Sequence, residues 1–148
     1  MKQKLHSLLL MVALLSWSMV IAASDFDDGI LKYTITSPSN LEVQCDGLTT
    51  EHWNDENVSI PSTVNYNNRT YTITAVGAYG NTGDSYRKSF SSNLKSIQLP
   101  NSIIKIDYKC FYGCSMLKEI SIPNSVTMIN SGAFEGCDLT SLVIPETV

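Results

Sequence analysis

The chain has 148 residues, of which 43% are hydrophobic and 16% are charged, and its formal net charge at pH 7 is −4. This length gives room for one ordinary domain. A net acidic chain without a basic stripe is a poor candidate for binding nucleic acid, because that affinity depends on neutralising phosphates. We therefore exclude a nucleic-acid-binding protein.

The first 23 residues predict a secretory signal peptide. Lys2 and Lys4 form a positive start, residues 8–21 are apolar apart from two serines, and small residues follow at 22–24. An uncleaved anchor is the alternative, but the apolar run is shorter than the roughly 20 residues that a spanning helix needs. No cysteine ends the run, as it would in a bacterial lipoprotein. We expect a cleaved leader, no transmembrane anchor, and a secreted or cell-surface protein.

Residues 25–56 predict an N-terminal β-hairpin that caps the rest of the fold. The alternating segments "GILKYTIT" and "LEVQC" flank "SPSN", a composition typical of a turn. The cluster "TEHWNDEN" at 50–57 follows, and it brings acids, a histidine and a tryptophan together. It could bind calcium or a sugar ring. We favour a solvated connector, since it lacks the alternating ligands and the glycine of a calcium loop.

Residues 57–93 predict a degenerate first repeat enlarged by two insertions. "VSIPSTV" has the form of a strand followed by a proline turn, and "ITAVGAY" has the form of a return leg. The first insertion, "NYNNRTY", predicts a hairpin turn at Asn67 and Asn68, because asparagine tolerates positive φ. The second, "GNTGDSYRKS", is polar and contains glycine, so we expect a surface loop.

Residues 94–148 contain two complete repeats and a truncated third. "LKSIQLPNSIIKIDYKCFYGCS" begins at Leu94, "LKEISIPNSVTMINSGAFEGCD" begins 23 residues later at Leu117, and "LTSLVIPETV" starts at Leu139. Self-similarity at a fixed period of this size is the signature of a solenoid. The recurring framework positions are Leu94, Ile97, Pro100, Phe111, Cys114, Leu117, Ile120, Pro123, Phe134 and Cys137.

Each repeat predicts one coil of a stack. Ile97-x-Leu99, Ile120-x-Ile122 and Leu142-x-Ile144 alternate apolar with polar residues, the period of a short strand with one buried face. A proline follows and ends the strand, because it cannot donate to a ladder. One coil cannot bury its own apolar face, so the coils must stack on each other and on the upstream residues.

The four cysteines after the leader leave two interpretations open. In an exported chain Cys45, Cys110, Cys114 and Cys137 could form two disulfides, with three possible pairings. We favour buried free thiols, since Cys114 and Cys137 fill the same slot in successive repeats and free cysteine packs as a small hydrophobe. The Cys-x-x-x-Cys of the first pair is weak evidence for a metal, and we expect no metal or cofactor.

The sequence gives little support for a catalytic site. His52 is the only histidine after the leader, which removes most nucleophilic triads and histidine metal sites. Carboxylate pairs from distant strands stay open, because glycosidase acids can be far apart in sequence. We predict no catalytic residues and no enzyme activity.

The repeat unit resembles the BspA-like leucine-rich repeats of exported bacterial surface proteins. The resemblance is carried by L-x-x-I-x-[LI]-P-N-S-[IV]-x-x-I-x-x-x-[AC]-F-x-G-C and covers about residues 28–148. It implies a right-handed leucine-rich-repeat solenoid of short parallel strands, a β-rich α/β fold, used for adhesion and protein binding. Cys110 departs from the alanine that the family prefers, and the short third repeat leaves a truncated gene product as an alternative.

The expected function is binding through the solvent-facing positions of the stacked strands. The partner would be an extracellular protein, from host matrix or another cell surface. The alternative is a surface glycan, bound by Trp53 and the tyrosines of the insertions. We also expect possible self-association through the open C-terminal end, where Leu142 and Ile144 lack a return leg. The candidate binding residues are Lys95, Gln98, Lys118, Glu119, Ser121, Thr140 and Ser141, with Ser96 and Val143 beside them.

Overall fold

The computed structural model describes residues 25–78, 80 and 87–148, and the predicted signal peptide and residues 81–86 of the predicted loop lie outside this part. These residues form nine strands and no helix. None of their elements is a helix able to span a bilayer. The strands are β1 (Asp25–Asp27), β2 (Leu31–Ser37), β3 (Glu42–Leu48), β4 (Asn57–Ser59), β5 (Thr63–Tyr66), β6 (Arg69–Val76), β7 (Ser96–Gln98), β8 (Lys105–Ile106) and β9 (Met128–Ile129).

The N-terminal hairpin lies where the sequence predicts it. Strands β2 and β3 pair antiparallel, with Leu31 opposite Leu48, and the turn between them is the "SPSN" segment. On its other edge β3 pairs in parallel with β6, with Val43 opposite Ile73. Strand β3 is therefore both an arm of the hairpin and a layer of the stack, which is how the hairpin joins the repeats.

A second hairpin joins β5 to β6 through the predicted asparagine turn. Tyr66 pairs with Arg69, and the two residues between them, Asn67 and Asn68, have φ of 49° and 58°. A two-residue loop with positive φ at both positions matches the right-handed twist of the flanking strands. The first insertion thus projects from the start of β6 without interrupting it.

Two rows of parallel strands enclose the core. In one row β4 pairs with β7, and Val58 stands opposite Ile97. In the other, β6 pairs with β8 and β8 with β9, which places Lys105 opposite Met128, one repeat later. Apolar side chains of both rows belong to one buried cluster. The predicted fold, a solenoid of short parallel strands with an N-terminal hairpin cap, is confirmed.

Strand pairing differs locally from the sequence expectation. The segments 120–122 and 142–144 belong to no ladder, whereas the return legs at β8 and β9 do. Within the described residues, no backbone hydrogen bond joins 119–122 to β7. Period-two patterning predicts the burial of Ile97 and Ile122, but Leu142 and Ile144 of the third repeat are exposed. The pattern also does not report whether the neighbouring backbone lies close enough to bond.

Hydroxyl groups of the repeated turn tie successive coils together. Ser102 Oγ donates to the Ile73 carbonyl, Ser125 Oγ to the Ile103 carbonyl, and Thr147 Oγ1 to the Val126 carbonyl, each at 2.7 Å. These residues are the serine of each "PNS" and the threonine of "PET". A hydroxyl at this position donates to a backbone carbonyl of the preceding coil, which explains why the repeat carries one there.

The opposite turn is filled by stacked rings and thiols. The ring centroids of Phe90 and Phe111 lie 5.3 Å apart, and those of Phe111 and Phe134 lie 5.4 Å apart. All four cysteines are free; Cys45, Cys110 and Cys114 are buried and Cys137 is half-buried. Burial raises the pKa of the Cys45 and Cys114 thiols to about 12. Such thiols act as packing groups rather than nucleophiles.

Candidate functional site

The candidate residues lie along one surface, here called the strand face. It comprises the exposed side of β4 and β7 and the aligned positions of the next two coils. Its members are all exposed to solvent: Lys95, Ser96, Gln98, Lys118, Glu119, Ser121, Thr140, Ser141 and Val143. Among the framework positions, Leu94, Ile97, Phe111, Cys114 and Leu117 are buried, and Pro100, Ile120, Pro123, Phe134 and Cys137 are half-buried.

We call the boundary between two neighbouring coils on the strand face a step. At the first step, between β4 and β7, side-chain hydrogen bonds link the two strands. Ser96 Oγ donates to Asn57 Oδ1 at 2.7 Å, and Ser59 Oγ donates to Gln98 Oε1 at 3.3 Å. Backbone pairing holds the two strands in register beneath these contacts. The polar groups on this step therefore bond mainly to each other.

The second step, from β7 to residues 119–122, is open. A cavity of about 320 Å³ lies over Ile97 and Ile120 and is rimmed by Ser96, Glu119 and Ser121. This volume is at the lower end of those that hold small ligands or one side chain of a partner. The opening coincides with the missing ladder between these two segments.

An adjacent cavity extends the opening along the strands. It measures about 360 Å³ and is lined by Gln98, Leu99, Asn101, Ser121 and Pro123. Ser121 lines both cavities, so it stands at the centre of the open step. The result is a shallow cleft with an apolar floor and a rim of hydroxyl and amide groups.

Both lysines of the strand face form ion pairs. Lys95 Nζ lies 2.7 Å from Glu56 Oε2, and Lys118 Nζ lies 3.0 Å from Asp138 Oδ2. Exposed pairs of this kind contribute little to stability and are easily exchanged for other partners. The face therefore offers hydrogen bonds and apolar contact, with charge in a supporting role.

The "TEHWNDEN" cluster forms consecutive turns between β3 and β4. His52 Nδ1 lies 2.8 Å from Asp55 Oδ2, and Asn93 Nδ2 donates to Asn54 Oδ1 at 3.2 Å. Across residues 25–78, 80 and 87–148, no group of three or more His, Cys, Asp or Glu side chains could hold a metal ion. The contacts of the "TEHWNDEN" cluster are those expected of a connector between neighbouring elements.

The aromatic residues considered for glycan binding take part in packing. Tyr71 is buried, Trp53 packs against the core, and the Tyr66 ring stacks on Phe26 with centroids 4.1 Å apart. Tyr79 and Tyr86 lie outside the described residues. The three described rings therefore hold the hairpins to the first coils.

A buried polar network runs along the stack, and the sequence interpretation did not include it. Asp107 accepts hydrogen bonds from Asn130 Nδ2 at 2.7 Å and from Gln44 Nε2 at 3.3 Å, and Lys105 Nζ lies 2.9 Å away. Gln44 Nε2 also donates to the Gly77 carbonyl. Asp107 and Asn130 occupy the same slot of the repeat, each directly after the isoleucine of β8 or β9, and that alignment was the signal available in the sequence.

The electrostatics of Asp107 follow from these contacts. Burial alone raises the pKa of the carboxyl group, but hydrogen bonds from Lys105, the Tyr108 amide and Asn130, with the Lys105 charge, outweigh burial. The pKa therefore lies below its ordinary value of 3.8. The network holds an ionised carboxylate between coils, which is a structural role.

Stacked coils of this form define a leucine-rich repeat solenoid. The family model described as "BspA type Leucine rich repeat region" matches residues 44–148 in six copies. The chain therefore belongs to the family of BspA-type leucine-rich repeat proteins, as the repeat motif indicated. The search of curated proteins found no match.

Solved structures support the same fold. A leucine-rich repeat protein from Bacteroides ovatus is 26% identical, with a TM-score of 0.62 over 84% of this chain and 36% of that one. A leucine-rich repeat protein from Bacteroides capillosus is 19% identical, with a TM-score of 0.54 over 80% of this chain and 96% of that one. A leucine rich cell surface protein from Faecalibacterium prausnitzii is 22% identical, with a TM-score of 0.57 over 84% and 38%. The chain thus spans little more than a third of the first and third proteins.

Proposed function

We propose that this chain is an exported, non-catalytic binding module that holds an extracellular protein on its strand face. The observation that carries the proposal is the open step between β7 and residues 119–122, where an apolar floor meets a rim of hydroxyl and amide groups. The likeness to a leucine rich cell surface protein supports export to the surface. At that location its partner would be a protein of the host matrix or of another cell, and its role would be adhesion.

The chemistry of the cleft favours a polypeptide partner. Ile97 and Ile120 offer apolar contact to a side chain, while Ser96, Gln98 and Ser121 can bond the amide groups of an extended segment. Sugar recognition usually relies on an aromatic face, and the described rings Trp53, Tyr66 and Tyr71 pack into the fold instead. A partner that enters the cleft would exclude water from the floor, which is where interfaces gain most of their free energy.

Filling the cleft tests the proposal. Ser121→Arg places a long charged side chain between the two cavities, whereas Thr127→Arg makes the same change on an exposed residue next to β9. We expect Ser121→Arg to abolish binding to surface-immobilised laminin, collagen or fibronectin, whichever the wild type binds, and Thr127→Arg to bind normally. Biolayer interferometry measures both, and circular dichroism verifies folding.

Two outcomes would contradict the proposal. One is normal binding by Ser121→Arg, and the other is equal loss in both arginine variants. Gln98→Ala and Lys118→Glu add a graded test. The first removes an amide group from the rim of the cleft, the second reverses the charge of an exposed lysine elsewhere on the strand face, and neither fills the cleft. We expect each to weaken binding by about threefold to tenfold, the effect of one polar contact at an interface rim.

A further inference from the structure

Glu119 is the one charged residue among those that line the cleft at the open step. Its side chain is exposed, and in the described part of the chain its carboxylate forms no ion pair and no hydrogen bond. The two lysines of the strand face lie outside this lining, and each is already ion-paired, Lys95 with Glu56 and Lys118 with Asp138. The cleft therefore carries an uncompensated negative charge.

The backbone of β7 adds polar groups to the same cleft. The Ser96 amide donates to the Glu56 carbonyl at 3.1 Å. The Gln98 carbonyl accepts from the Ile60 amide at 3.0 Å. Alternate residues of a strand direct their backbone groups to opposite neighbours, so the amide and carbonyl of Ile97 face the open step. Among the described residues, no backbone hydrogen bond from the next coil meets them there.

The cleft thus combines an apolar floor with acceptor groups at its rim. Ile97, Ile120 and Val143 supply aliphatic surface, while the Glu119 carboxylate and the Ser121 hydroxyl can accept hydrogen bonds. A long basic side chain has the complementary arrangement, because its apolar stem of methylene groups ends in a cation. An acidic side chain would bring its charge against Glu119. A wholly apolar one would remove water from the carboxylate without giving it a partner.

We propose that the cleft holds a basic side chain of the partner polypeptide, and that it prefers arginine to lysine. The stem would lie on Ile97 and Ile120, and the cation would meet the Glu119 carboxylate. A guanidinium group presents five donors in a planar fork, so it can bond a carboxylate through two nitrogens and still reach the Ile97 carbonyl. This inference rests on the proposed function and names the residue type that the cleft selects.

Peptide titration of the isotope-labelled protein, followed by nuclear magnetic resonance, tests this assignment. The probes are short serine- and threonine-rich peptides, blocked at both ends, with arginine, lysine, citrulline or glutamate at the centre. Citrulline has the shape of arginine without its charge. Concentrations up to about 10 mM detect the affinity of a single side chain.

The arginine peptide should shift the amide signals of Ile97 and Ser121. We expect the lysine peptide to bind more weakly, the citrulline peptide about fivefold more weakly or less still, and the glutamate peptide not at all. Equal binding of the citrulline peptide would overturn the proposal, as would shifts confined to residues outside the cleft or no shift with arginine. Tighter binding of lysine would overturn the preference for arginine.

A change in the probe tests the apolar floor. Shorter homologues of arginine carry the same guanidinium group on fewer methylene groups. Each methylene group removed should weaken binding by about twofold to fourfold, since that group no longer covers the floor. Equal affinity for the long and short homologues would contradict the contact between stem and floor.

Matched variants separate Glu119 from general charge. Glu119→Gln is expected to weaken binding of the arginine peptide by about fivefold and to leave the citrulline peptide unchanged, because only the charge contact is lost. Glu51→Gln removes the same charge from an exposed residue of the connector and should bind both peptides as the wild type does. Equal loss in the two variants would mean that net charge alone is responsible and would overturn the site.

Charge reversal gives a gain of binding rather than a loss. Glu119→Lys should reject the arginine peptide and bind the glutamate peptide, because the sign of the charge at the rim is inverted. Glu119 is exposed, so the fold should tolerate the change, and circular dichroism verifies it. A continued preference for arginine in this variant would refute the assignment.

The failure of this inference can be told apart from that of the proposed function. If Ser121→Arg abolishes binding to the matrix protein while Glu119→Gln binds it normally and the peptides show no preference for arginine, the cleft is a binding site of different specificity. If Ser121→Arg binds the matrix protein normally, the proposed function fails, whatever the peptides show.

Discussion

At the residue scale, Asp107 shows how this solenoid stabilises a buried charge. Asp107 is 8% exposed, and its carboxylate receives hydrogen bonds from Gln44 of β3, from Lys105 of its own coil and from Asn130 of the next coil. Burying a carboxylate costs free energy unless it is paired and hydrogen-bonded. Asp107 therefore contributes to stability only because its neighbours in the stack are in place.

Replacing Asp107 should be costly. Asp107→Ala removes the acceptor of the half-buried Asn130 amide and one of the two acceptors of the buried Gln44 amide, and we expect a loss of about 2 kcal/mol in the free energy of unfolding. Chemical denaturation followed by circular dichroism measures it. Asp138→Ala is the matched control: its ion pair with Lys118 is exposed, so the loss should stay below about 0.5 kcal/mol. Equal losses would refute the role of the network.

The network also predicts acid sensitivity. The pKa of Asp107 lies below its ordinary value of 3.8, so the folded state holds its proton less tightly than the unfolded chain does. Its contribution to stability is complete above that value and is lost as the pH falls through the folded pKa. Thermal melts across this acid range should show a steeper decline for the wild type than for Asp107→Asn. Parallel declines would exclude Asp107 as a source of the acid sensitivity.

At the scale of elements, the stacked rings of Phe90, Phe111 and Phe134 connect the corresponding turns of successive coils. Phe111 stands between Phe90 and Phe134 and is fully buried, whereas Phe134 has one stacked neighbour and is half-buried. In a repeat protein, stability is close to a sum of repeat and nearest-neighbour contributions. A residue between two coils therefore counts toward two interfaces.

Truncating these rings should give unequal effects. Phe111→Ala opens a cavity between two coils and should cost about 4 kcal/mol, the usual range for a buried ring, while Phe134→Ala should cost about half as much. Urea titrations of both variants provide the comparison. If Phe134→Ala were the more damaging of the two, the coil at residues 117–138 would be the main source of stability.

At the scale of the whole molecule, one contact joins the N-terminal hairpin to the stacked coils. The Leu48 amide donates to the Ser89 carbonyl at 3.0 Å, and the Ala78 amide donates to Ser89 Oγ at 2.7 Å. Gly47, with φ of 122°, lies so close that a Cβ there would overlap the Ser89 backbone. Ser89 thus joins β3, the end of β6 and the segment that leads to the first complete repeat.

Gly47→Ala should weaken the contact between the N-terminal hairpin and the stacked coils. Steric overlap with backbone, added to the positive φ, should lower the free energy of unfolding by about 3 kcal/mol. Gly29→Ala is the control, because Gly29 also has positive φ but no atom lies within 4 Å of its Cβ position, and about 1 kcal/mol is expected. Differential scanning calorimetry measures both. Similar melting temperatures would show that the hairpin does not depend on this contact.

Local patterns in the sequence determined the repeat, its period, the prolines that end the strands and both hairpin turns, because each depends on neighbouring residues. Tertiary structure decided which surfaces arise from them. The open step at Ser121 exists because β7 has no paired strand on that side, and Phe90 and Phe111 meet only because their coils stack. Likewise Gln44 reaches Asp107 across 63 residues of sequence. Such contacts depend on the distance between coils, which periodicity does not encode.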